Sequence, residues 1–304
     1  MNASLTFNPA GIALLFLSLG ICGIEIVANK WIRKVTNTYW FWLVWSLLFL
    51  IYEIVISWWA NWNLFAHIRL PDRLLTVYES TVVSKALLLN ICPFMSFALP
   101  LTLIADPTRK AARALSPMAL LSSLAALFFD LTTNSDTMFT WRYIFIGRPA
   151  TTDLYFFCFA MNLFMALAVV LNTPKFGWKG AAWSFTTLFG YYVYIHFIVA
   201  LTGCQYQVSG ARLTDFTESG VFHIFANIGL SPTAGAAIFF PLFFIGLMGT
   251  IVLIDICKKG YFEYGDRYSS CWWHYYDYHK IYNKEPWGWF SHKWQLTHPI
   301  KVEK

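Results

Sequence analysis

Three side chains carry acid–base or nucleophilic chemistry from inside long apolar stretches: Glu53 in LIYEIV, Cys92 in LLLNICPFM and His196 in VYIHFIV. A thiol near hydrocarbon is mostly protonated and inert. A neighbouring imidazole can take its proton, and a carboxylate can orient and stabilise the imidazolium that results. Burial alone favours the neutral carboxyl, so Glu53 fills that role only when it is paired. Such a trio, with Cys92, His196 and Glu53 as catalytic residues, would accept an acyl group as a thioester and pass it on. Asn90, and Tyr192 one helical turn before His196, join the set as substrate-binding candidates. The same residues also suit a buried polar network that ties helices together, with Cys92 acting as a small hydrophobe.

A helix rises about 1.5 Å per residue, so depth in a membrane span can be read from position. Glu53 lies about 12 Å below the end of its stretch, His196 about 10 Å and Cys92 about 13 Å. The three share one layer. Contact needs more, because rotation about each helix axis decides which way a side chain faces.

The elements that position these residues follow from composition. The chain has 304 residues, of which 58% are hydrophobic and 12% charged, with 15 Trp, 16 Tyr and 28 Phe. Its mean hydropathy is +0.51. Soluble domains carry roughly a quarter charged residues. Half that charge excludes an ordinary soluble enzyme, a disordered regulator and a secreted disulfide scaffold. The fold class expected is all-α, a polytopic membrane protein. Apolar stretches at 10–29, 39–61, 83–105, 115–131, 154–172, 181–203 and 233–257 approach the roughly 20 residues a span requires. They predict seven transmembrane helices in one bundle over 1–257, followed by an interfacial tail over 258–304.

Lys and Arg set the orientation. Lys30, Arg33 and Lys34 follow the first stretch, Arg109, Lys110 and Arg113 the third, Lys175 and Lys179 the fifth, and Lys258 and Lys259 the seventh. The other side is sparser, with Arg69, Arg73, Arg142, Arg148 and Arg212. This bias predicts an outside N-terminus and a cytoplasmic C-terminus in a cell membrane, most simply a bacterial plasma membrane. The first stretch has no basic residue before it and reads as a retained span. The formal net charge of +6 fits anionic lipid headgroups on the inner face and calls for no nucleic acid.

Local signals refine the picture. Trp58, Trp59 and Trp62 at one end of the second stretch, and Trp31, Trp40 and Trp42 at the other, suit headgroup anchoring. Pro93 and Pro100 would free the carbonyls of Leu89 and Ser96. Ser231-Pro232 reads as a helix start, with Ser at the N-cap and Pro at the first position. VFHIFANIGL (221–230) is too short to cross and reads as re-entrant or interfacial. Glu25, Asp106, Asp130 and Asp255 lie near stretch ends, where they can reach headgroups or cap helices, and Lys85 can snorkel. The six Cys are too scattered for a staple, and Cys271, His274 and His279 in the aromatic, basic tail make a weak zinc set, so no metal or cofactor is expected.

The order of motifs resembles the small seven-span bacterial membrane proteins of the YwaF type, whose eukaryotic relatives include a proposed Cys-dependent phospholipid acyltransferase. The similarity runs over roughly residues 10–257. It rests on Glu53 in the second stretch, the Cys in LLLNICPFMSFALPL, the polar acidic turn in ALFFDLTTNSD and the polar-aromatic turn in VALTGCQYQVSG. The resemblance implies Cys92 as the nucleophile position. It departs in having Asn90 and Pro93 flank the Cys where a His or acid is usual, and Gln205-Tyr206 where Asn-Tyr is usual.

The expectation is therefore acyl transfer on membrane lipid through Cys92, His196 and Glu53. Two alternatives stand beside it. One is a small-solute or proton-coupled transporter or channel, and the other a non-enzymatic membrane subunit whose tail docks a cytoplasmic protein.

Overall fold

In a computed structural model, the description covers residues 9–36, 38–59, 75–133, 156–173, 175–218, 225–226 and 228–268. The described residues are helical and contain no strand. The helices are α1 (Pro9–Val27), α2 (Asn29–Thr36), α3 (Tyr39–Ile54), α4 (Val77–Ala86), α5 (Ile91–Ala105), α6 (Lys110–Thr133), α7 (Phe156–Leu171), α8 (Gly177–Thr202), α9 (Asp215–Glu218) and α10 (Pro232–Tyr268). A π-helical turn, Val55–Trp59, continues α3.

Four stretches are long and apolar enough to cross a bilayer: Glu79–Ala105, Lys110–Phe128, Gly177–Thr202 and Pro232–Cys257. Ile12–Val27, Tyr39–Ile54 and Phe156–Leu171 are apolar but shorter. The seven expected stretches thus all contain helix.

α6 is the hub, packing against α1, α5, α7, α8 and α10. Its buried positions include Ala112, Ser116, Ala119, Ser122 and Ser123, small residues that let neighbouring backbones approach closely. α3 packs on α5, and α5 on α7, which closes the core around Met95, Leu99, Leu163 and Met165. α10 is the most exposed of the long helices and lies against α6, α8 and α9. It starts as the sequence predicts: Ser231 Oγ accepts from the Ala234 N–H at 3.3 Å, with Pro232 first in the helix.

Polar contacts tie the helix ends together. At the end rich in Lys and Arg, Tyr39 donates to the Ile104 carbonyl (3.0 Å) and the Asp106 carboxylate caps the start of α6 through Thr108 N and Ala111 N. There too, Asp255 accepts from Phe176 N (2.7 Å) and Gly177 N (2.8 Å), capping α8 from another helix. These two carboxylates act as caps, as their positions suggested.

Other expectations need correction. The third stretch is two helices, broken at Leu87–Asn90, with Leu88 in the left-handed region at φ 56°. Pro93 stands in the first turn of α5, where a missing N–H costs little, and so starts the helix instead of kinking it. Lys85 is 5% exposed and does not snorkel. Trp42 is a core residue, its indole N–H donating to the Thr36 carbonyl at 2.5 Å, and anchors nothing at a headgroup. Glu25 reaches neither headgroup nor cap, because it lies on the buried stripe of α1. Cys271, His274 and His279 lie outside the described residues, as do Trp62, Arg69, Arg73, Arg142, Arg148 and half of 221–230.

Candidate functional site

Glu53 is fully buried, with 0% exposure, one residue before the end of α3 and two before the π-helical turn. Such turns recur at functional sites because the widened backbone re-aims the side chains beside it. The Cys158 thiol of α7 lies within electrostatic and hydrogen-bonding reach of the Glu53 carboxyl. Cys158 Sγ lies 2.8 Å from Ser96 Oγ of α5. Asn162, one turn along α7 from Cys158, donates from Nδ2 to Ser96 Oγ at 2.8 Å. Three helices therefore contribute Glu53, Ser96, Cys158 and Asn162 to one buried polar cluster.

The cluster's hydrogen bonds centre on Ser96. The Ser96 hydroxyl has one proton and two acceptors in reach, the Cys92 carbonyl (3.1 Å) and the Cys158 sulfur (2.8 Å). Asn162 Oδ1 has no hydrogen-bond partner. Adding one proton at Glu53 turns the carboxyl into a donor toward Cys158, and the hydroxyl and thiol can reorient in response. The Ser96 hydroxyl and the Cys158 thiol, each able to donate or accept, link the Glu53 carboxyl to Asn162.

The expected trio is not what the fold assembles. α8 buries Ala181, Ser184, Leu188, Tyr191, Ile195, Val199 and Thr202, a stripe at helical spacing. His196 is one residue past that stripe, about 100° round the helix. It is exposed beside Val193 and Phe197, with Nδ1 2.8 Å from the Tyr192 carbonyl of its own helix. No hydrogen bond or ring contact joins His196 to Glu53 or Cys92. Cys92 is half-buried in the first turn of α5, its Sγ 4.0 Å from the Ser122 carbonyl. It lies within electrostatic reach of Lys85 and Cys158. Of the three, Glu53 and Cys92 border one region and His196 faces away.

Asn90 and Tyr192 are engaged elsewhere. Asn90 is the N-cap of α5: Oδ1 accepts from Cys92 N (3.1 Å) and Nδ2 donates to Gln207 Oε1 (2.9 Å). Tyr192 donates to the Ser209 carbonyl at 3.2 Å. Both belong to a clamp around the α4–α5 break. Ser84 donates to the Gln207 carbonyl, Ser209 Oγ accepts from Ile91 N (2.8 Å), and Tyr194 donates to the Leu87 carbonyl (2.5 Å). Gln207, Ser209 and Gly210 all have positive φ, and the buried Asp215 carboxylate pins that turn through Val208 N (3.0 Å) and Gly210 N (2.8 Å). Backbone in sparsely populated conformations persists only where its surroundings over-determine it.

The family model of DUF5378, a family of unknown function, matches residues 15–285. The chain belongs to the DUF5378 family. The match runs from within α1 through α10 and therefore covers both the Glu53 cluster and the clamp. No curated protein and no solved structure matches the chain.

Ser96, Cys158 and Asn162 were missed as site residues. Asn162 offered a signal, as the lone amide in FFCFAMNLFMALAVVL with Cys158 four residues before it on the same face.

Proposed function

We propose that this DUF5378 protein is a seven-span protein of the cell membrane that moves a small solute in step with protons, with Glu53 as the proton-binding group. The observation that carries the reading is Glu53 itself. It is a carboxyl fully buried near Ser96, Cys158 and Asn162, in apolar helices of which the Ser96 stretch, Glu79–Ala105, is long enough to cross a bilayer. Ionisable residues at such depth are costly and mark ion or proton pathways. The broken helix beside it adds support, since interrupted helices line transport sites in many carriers. The acyl-transfer alternative needs Cys92 and His196 together. The transport reading needs only the cluster as it stands.

In this reading all seven apolar helices span, and the shorter α1, α3 and α7 do so with their flanking turns. The Lys and Arg at one end face the cytoplasm and its anionic lipids.

The test is proton flux in vesicles. Purified protein in proteoliposomes carrying a pH-sensitive dye is given an inward proton gradient and offered pools of amino acids, sugars, organic acids and organic cations. At least one pool should speed acidification beyond protein-free vesicles, and Glu53→Gln should abolish the increment. Equal rates with every pool, or an unaffected Glu53→Gln, would overturn the proposal.

A further inference from the structure

A second carboxyl sits apart from the Glu53 cluster, near the opposite end of the bundle. Glu25 lies in the last turn of α1 and is 1% exposed, and neither carboxyl oxygen has a hydrogen-bond partner. Asn29, the first residue of α2, is also 1% exposed, and both its Oδ1 and Nδ2 lack partners. The chain is interrupted between them at Ala28, yet Ala28 N bonds to the Ile24 carbonyl (2.7 Å) and Ile32 N to the Ala28 carbonyl (3.1 Å). Helical spacing therefore carries across the interruption. Residues four apart on a helix face have Cβ atoms about 5–6 Å apart. Leu14, Ser18, Glu25 and Asn29 form one buried stripe, and Ser18 Oγ lacks a partner as well. α6 and α7 pack over α1, and α3 and α7 over α2, so the stripe faces the bundle interior.

Buried polar atoms are nearly always satisfied, and a group of unsatisfied ones on a single stripe points to an occupant. Its chemistry can be read from the groups that wait for it. The acceptors are two carboxylate oxygens and an amide oxygen, which are hard ligands suited to an alkali or alkaline-earth cation and poor ones for a soft metal. No basic residue stands in the last turn of α1, and no cationic side chain is paired with Glu25 among the described residues. A single carboxylate balances a single positive charge. A divalent ion would leave net charge in a low-dielectric interior and would demand about six oxygen ligands.

We infer that Glu25 and Asn29 form an intramembrane binding site for a monovalent alkali cation, with the Glu25 carboxylate neutralising its charge and the Asn29 carboxamide oxygen completing the protein ligands. The inference stands independently of the role proposed for Glu53.

The full chain in detergent tests it through thermal unfolding in sodium, potassium or choline chloride at equal ionic strength, alongside equilibrium binding of radiolabelled sodium. The wild type should gain melting temperature saturably with sodium or potassium and not with choline. Glu25→Gln, close in shape and uncharged, should melt at or above the wild-type value in choline and show no cation shift. Asn29→Ala should weaken the apparent affinity about tenfold. A wild type indifferent to sodium, potassium and choline would overturn the proposal, showing a carboxyl that is protonated or merely hydrated. Glu25→Gln protein that kept the full cation shift would overturn it too, by placing the ion elsewhere.

Discussion

The Tyr191 hydroxyl donates to the Leu89 carbonyl at 2.7 Å, at the residue just before the N-cap of α5, which lies outside the helical hydrogen-bond ladder. A buried carbonyl in the α4–α5 break is thus satisfied from another helix. The same hydroxyl lies 3.1 Å from Ser209 Oγ, so a single phenol links α8, the α4–α5 break and the loop after α8.

Tyr191→Phe should therefore cost more than a surface hydroxyl. It leaves the buried Leu89 carbonyl unpaired, a loss of about 1–3 kcal/mol. Thermal unfolding in detergent checks this, and an unchanged midpoint would mean that the carbonyl finds another donor.

The Asn162–Ser96 bond can be isolated by a double-mutant cycle. Interhelical hydrogen bonds in membranes average about 0.6 kcal/mol and reach about 1.7. Asn162→Ala and Ser96→Ala should show a coupling of that size, near the upper value because Ser96 also serves Cys158. Strict additivity would show the two side chains to be energetically independent.

Asp255→Ala should release the start of α8. The carboxylate takes two backbone N–H groups there, and loss of a cap costs about 0.5–2 kcal/mol. Hydrogen exchange should rise first at Phe176 and Gly177, ahead of the middle of α8. Protection that fell evenly along the helix would count against a local cap.

Cys204 gives a pH signature outside the apolar helices. Burial pushes its thiol up to about 12. The folded state keeps this proton while the unfolded state loses it from about pH 8.5, so stability falls as pH rises between those values. The slope approaches about 1.4 kcal/mol per pH unit for this one group. Unfolding of Cys204→Ala compared with wild type between pH 8 and 10 should show the difference, and identical slopes would contradict it.

Element positions were legible because an apolar run long enough to cross a bilayer leaves few alternatives. The start at Ser231-Pro232 and the caps at Asp106 and Asp255 followed from local chemistry. Rotation was not legible. In a soluble helix the polar face marks the outside, but a lipid-facing surface is as apolar as the core. Ile195 is buried and His196 exposed, though nothing in VYIHFIV separates them. Glu25 and Lys85 failed for a related reason, since position near a stretch end says nothing of which neighbours enclose the side chain. The Glu53 cluster was half-visible. Glu53 stood out as a charge, whereas Ser96, Cys158 and Asn162 gain meaning only once α3, α5 and α7 are brought together.

The clamp grips both sides of a joint. Ser84 precedes the α4–α5 break, Asn90 follows it, and both are held by Gln207. The angle between the two halves cannot change while that grip lasts, and α5 is the half that carries Ser96. A swing of Ser96 away from Glu53 about this joint would have to break the Gln207 contacts, so the loop after α8 and the Glu53 cluster are mechanically joined through α5.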